Sequence, residues 1–156
     1  MTLACACPTA YIENKNYYHF QKMIVAMADG PPLALHALSF AGQLLVWSGR
    51  QWTACDKGWR RVEAEFSRPF GPDDGRALAA ALDDLFALMN VAARRPVIIG
   101  PANCRRVWRD EELIVRAVRA EQHHESALTL ALLESLLPAA AARQAIASVA
   151  RIAHLL

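Results

Sequence analysis

The stretch SALTLALLESLLPAAAARQAIASVARIAHLL, residues 126–156, carries three formal charges, Glu134, Arg143 and Arg151, among residues otherwise dominated by Ala, Leu, Ile and Val. So apolar a segment has to be covered, by the chain's own core or by a partner. Its residues are good helix formers: Ser126 is placed to cap a helix over 127–137, and Pro138 opens another over 138–155. On a helical wheel Leu128, Leu132, Leu133, Leu136 and Leu137 spread around most of the first of these helices, which is more than one core readily covers. The reading predicts a Leu/Ala-rich surface that binds a second copy of the chain, as a two-fold homodimer, or another protein. A charge at Leu133 or Leu137 is then expected to convert dimer to monomer with helix content unchanged.

Upstream the same 3.6-residue periodicity recurs. Asp110, Glu111 and Glu112 place negative charge at the start of a helix over 110–123, where the helix dipole favours it, with Leu113, Ile114, Ala117, Val118 and Ala120 inward. Leu78, Leu82, Leu85, Phe86 and Met89 form one stripe of a helix over 75–93, with Asp73 and Asp74 as its capping oxygens. Trp59, Val62 and Phe66 mark a short amphipathic helix between the Asp56-Lys57-Gly58 break and the Pro69-Phe70-Gly71-Pro72 turn. Pro96 separates the 75–93 helix from Val97-Ile98-Ile99, a run too short to be more than an extended connector or one edge strand.

Asp29-Gly30-Pro31-Pro32 is a turn that opens a helix over 33–55, nearly apolar all round, with His36, Ser39, Gln43 and Arg50 as its polar stripe. Such a helix is expected at the centre of the fold. The fold class is therefore all-α: a single-domain bundle of about six helices around the apolar helix 33–55.

At 156 residues the chain is the size of one domain. Hydrophobic residues make up 54% and charged residues 21%, a balance that favours a packed helical globule over a disordered chain. Composition changes near residue 23: all three tyrosines and two of the three lysines precede it, and almost every later base is Arg. Residues 1–22 read either as an arm that docks through its aromatics or as a stretch ahead of a true start at Met23 or Met27, and 23–156 as the helical domain.

The net charge of +2, with acids and bases interspersed, encodes no strong pull on nucleic acid or on an anionic membrane. Every hydrophobic segment is interrupted before the length needed to cross a bilayer, and four scattered cysteines do not make a disulfide framework. A cytoplasmic protein with free thiols is the expectation.

Chemistry-bearing patterns are sparse. Cys5-Ala6-Cys7 supplies two thiolates where a tetrahedral metal site needs four ligands. Cys104 follows a Gly100-Pro101-Ala102-Asn103 turn and precedes Arg105 and Arg106, whose charge lowers a thiol pKa, making it the candidate reactive thiol. The bland alternative tucks Cys104 under Trp108 while those arginines meet the acids at 110–112.

Glu121 and His124 form the Glu-x-x-His half of a di-metal motif with no second copy. The densest mixture of bases and aromatics, Trp52 to Arg68, is interrupted by Glu63 and Glu65, which argues against a nucleic-acid platform. Neither a Gly-rich phosphate loop nor a nucleophile elbow occurs in the sequence. No catalytic residue, metal ligand or cofactor is assigned. The reading is a non-catalytic helical interaction or regulatory module, the alternative being a metal- or redox-responsive protein using Cys104 with Cys55 or with Glu121 and His124.

Overall fold

Helix accounts for most of the chain in a computed structural model that describes residues 33–54 and 56–156. Among the described residues a 3-10 turn, Leu35–Ala37, precedes six α-helices: α1 (Phe40–Ala54), α2 (Asp56–Phe70), α3 (Pro72–Ala92), α4 (Arg109–Gln122), α5 (Ser126–Glu134) and α6 (Ala139–Leu155). The described residues form an all-α bundle with one isolated bridge, Ala34 to Arg106, and no strand. None of their helices is long and apolar enough to cross a membrane. The arm at residues 1–22 and the Cys5-Ala6-Cys7 pair lie outside the described residues, as does Cys55.

The packing follows the periodicity. α2 and α3 form an antiparallel hairpin across Gly71, whose φ of 83° is the left-handed conformation that glycine adopts without a Cβ penalty. Pro72 then takes the first helical position of α3. Asp73 and Asp74 sit in its first turn and make no side-chain cap, so their role is with the dipole rather than as capping oxygens. The stripe of α3 is core throughout, with Leu78, Leu82 and Leu85 fully enclosed and Phe86 and Met89 nearly so. α3 packs on α1, α2 and α6, while α4 packs on α1, α5 and α6.

Two expectations are corrected. The first α-helix begins at Phe40 rather than at residue 33, because Leu33 and Ala34 lie alongside Arg105–Val107 and the 3-10 turn follows: Leu35 N–H donates to the Arg105 carbonyl, and Val107 N–H donates to the Leu33 carbonyl. Phe40, at the start of α1, is 67% exposed. The last connection is also different, since α5 ends at Glu134 and not at residue 137. Residues 135–137 turn, and Leu136 and Leu137 fold back into the core beside Leu132 and Leu133. Four of the five leucines read as a partner surface are therefore interior, at 8%, 1%, 1% and 0% exposure in sequence order. Leu128, at 43%, is the one left outside.

Candidate functional site

The connection between α3 and α4, residues 93–108, has no regular secondary structure, yet it is fixed from below by two carboxylate–guanidinium pairs. The local sequence explains why. Asp110 and Glu111 fall in the first turn of α4, where backbone N–H groups point outward and lack helical partners. Both side chains turn inward and are 2% exposed, so each carboxylate must find donors.

Glu111 finds four. Its Oε1 accepts from Arg50 Nε at 2.8 Å and from Gly100 N–H at 2.9 Å. Its Oε2 accepts from Arg50 Nη2 at 2.8 Å and from Trp108 N–H at 2.8 Å, the latter closing the start of α4 on itself. Arg50 comes from the buried side of α1, and its side chain is enclosed to the same degree as that of Glu111. Its remaining donors go to backbone carbonyls of the connection, Nη1 to Cys104 at 2.5 Å and Nη2 to Arg106 at 2.7 Å. One buried ion pair thus satisfies four backbone groups of an irregular segment.

The second pair is half in solvent. Arg95 donates to both oxygens of Asp110, at 2.7 and 2.6 Å, and Asp110 Oδ2 also accepts Ile98 N–H at 2.8 Å. Hydrogen bonding to Asp110 and its charge push the Arg95 pKa above the ordinary arginine value against the opposing effect of burial. Of the two readings of Val97-Ile98-Ile99, a connector or an edge strand, the structure has a connector outside any strand, with Ile98 buried.

A close approach completes the site. A Cβ built on Gly100 would stand 2.5 Å from Cδ1 and Nε1 of Trp108, so the indole lies directly against the glycine backbone. Gly100→Ala is expected to force the ring aside at a cost of about 1–3 kcal/mol. Chemical denaturation would read this as a lower midpoint, and an unchanged midpoint would show that the ring moves freely.

The structure sets Cys104 apart from Glu121 and His124, while Cys55, its other partner in the metal or redox alternative, lies outside the described residues. Cys104 is half-buried at the α4 N-terminal end of the bundle, its carbonyl on Arg50. Glu121 lies ten residues beyond Glu111 along α4, roughly 15 Å by helical rise. α4 ends at Gln122, and His124 follows in an exposed turn with φ of 59°, so Glu121 and His124 do not share a helical face. Among the described residues no group of three or more metal-binding side chains assembles.

Arg105 and Arg106 do not take the acids at 110–112, because Arg50 and Arg95 hold Asp110 and Glu111. In the Trp52–Arg68 region the aromatics face inward: Phe66 is buried, and Trp52 donates to Asp83 while packing on Phe86.

Sequence reasoning missed Arg50, Arg95 and Gly100. A charged residue in a nearly apolar helix was the available signal for Arg50, since burial there demands a counter-charge. Comparison with protein-family models, with curated proteins and with solved structures finds no match to the chain.

Proposed function

We propose that this chain is a non-catalytic helical interaction module that engages a protein, a second copy or a different chain, and presents the 94–109 segment as its contact surface. One observation carries the reading: the Arg50–Glu111 pair is spent on the backbone of an irregular connection. A buried ion pair is weak as a source of net stability, because desolvation of both charges offsets their attraction. Its use here is to hold one backbone conformation. An irregular segment held in a single shape by a helical scaffold is the usual setting for recognition.

The leucine surface expected from the sequence contributes Leu128 alone. The proposed recognition surface lies at the other end of α4 and includes the exposed Pro101, Ala102, Asn103, Arg105 and Arg106, apolar and polar side chains together.

The test is cross-linking of the full chain in the cells that make it, followed by mapping of the linked peptides, with sedimentation of the purified chain alongside. Cross-links to another protein, or between two copies, should cluster on residues 94–109. Complexes whose cross-links all avoid this segment would overturn the assignment of the surface, and a monomer with no cross-linked protein would overturn the interaction reading itself.

A further inference from the structure

Charge is distributed unevenly over this surface. Residues 94–109 contain five arginines and no acid, in a chain whose net charge is only +2. Arg94, Arg105, Arg106 and Arg109 are exposed, and none stands within ion-pair distance of a described carboxylate. Of the three acids that follow in sequence, Asp110 and Glu111 are turned inward and committed to Arg95 and Arg50, while Glu112 is half-buried in the first turn of α4.

The backbone brings these arginines to one place. Arg95 and Arg109 flank Asp110, the first by its side-chain pair and the second in sequence, while the Arg106 carbonyl rests on the guanidinium that holds Glu111. These contacts draw the segment's arginines toward the α4 N-terminal end of the bundle, where Arg94, Arg105, Arg106 and Arg109 have no ion-pair partner among the described residues.

We infer that this surface takes a carboxylate-rich protein segment, a deduction that rests on the interaction reading above. Guanidinium is the group suited to it, because its planar fork matches a carboxylate with two parallel hydrogen bonds and sheds water more readily than an ammonium. Nucleic acid fits less well. A single-stranded ligand needs aromatic faces between the bases, and the nearby Trp108 ring is closed against Gly100. A duplex needs a continuing basic track, whereas along α4 Arg116 and Arg119 are bracketed by Glu112 and Glu121.

The experiment is fluorescence anisotropy with a labelled octaglutamate peptide as probe and a labelled twelve-residue oligothymidylate as rival, each at low and at physiological salt. The chain should bind the peptide saturably and more tightly than the oligonucleotide. Arg105→Glu with Arg106→Glu should weaken peptide binding at least tenfold while far-ultraviolet circular dichroism stays native. The matched change on the exposed part of α4, Arg116→Glu with Arg119→Glu, should alter it less than twofold.

If the reversed-charge variant loses helix, Arg105→Gln with Arg106→Gln takes its place with a smaller loss expected. Equal losses in the 105/106 and 116/119 variants, tighter binding of the oligonucleotide, or no saturable peptide binding would each overturn the inference. A partner that cross-links to 94–109 through a segment without acidic residues would remove the acidic identity and leave the interaction reading standing.

Discussion

Glu111→Ala is expected to lower the free energy of unfolding by about 3–5 kcal/mol, because it leaves the Arg50 guanidinium buried without its counter-charge and strips Gly100 and Trp108 N–H of their acceptor. Against a typical stability of about 5–15 kcal/mol, that is a large share. For a domain of this size it corresponds to a fall in Tm on the order of 10 °C or more.

The isosteric Glu111→Gln should help little. Each Glu111 oxygen accepts one guanidinium N–H and one backbone N–H, so an amide NH2 in either position sets a donor against two donors. Nor should an apolar pair, Arg50→Met with Glu111→Leu, restore stability as such replacements do at some buried ion pairs. The carbonyls of Cys104 and Arg106 would be left without their guanidinium donors. Thermal unfolding of the three variants decides the matter. A loss under 1 kcal/mol for Glu111→Ala would mean that the connection is not anchored by this pair.

Leu133→Asp is the second large effect. Leu133 is 1% exposed in the core, on a helix packed against α4 and α6, so a carboxylate there has no solvent and should abolish cooperative folding. Leu133→Ala should cost about 2–5 kcal/mol through lost burial and the cavity left behind. Leu128→Asp, at 43% exposure on the same helix, should change stability by no more than about 0.5 kcal/mol. The measurement is denaturant unfolding followed by circular dichroism. A folded, monomeric Leu133→Asp protein would return this leucine to the surface and revive the dimer interface that the sequence suggested.

The contrast between these two sites shows what could be read in advance. Periodicity located the helices because the stripe of α3 and the inward face of α4 repeat at helical spacing and pack as such, with boundaries moving by a few residues. The α5 leucines were misread for a local reason. A wheel drawn over 127–137 assumes helix to the end, whereas the chain turns after Glu134 and sends Leu136 and Leu137 back toward Leu133.

The ion pairs were not legible for a different reason. Arg50 and Glu111 lie 61 residues apart. A charge on a helix indicates which side is polar, but it does not reveal which distant group meets it. Glu111 in a first helical turn is already accounted for by the dipole, so nothing in its neighbourhood called for a second role. Likewise Arg105 and Arg106 lie only four to six positions before Asp110 and Glu111, yet those acids are held from elsewhere.

The Arg50–Glu111 pair has one further consequence. A synthetic peptide spanning 94–109 would contain the outward arginines but neither Glu111, which orients the Gly100 and Trp108 amides, nor Arg50, which gathers the Cys104 and Arg106 carbonyls. Leu33 and Leu35, which pair with Val107 and Arg105, would be missing as well. The surface is therefore a discontinuous epitope, assembled from three regions of the chain. A partner that engages it, as proposed, would discriminate the folded protein from its own linear sequence.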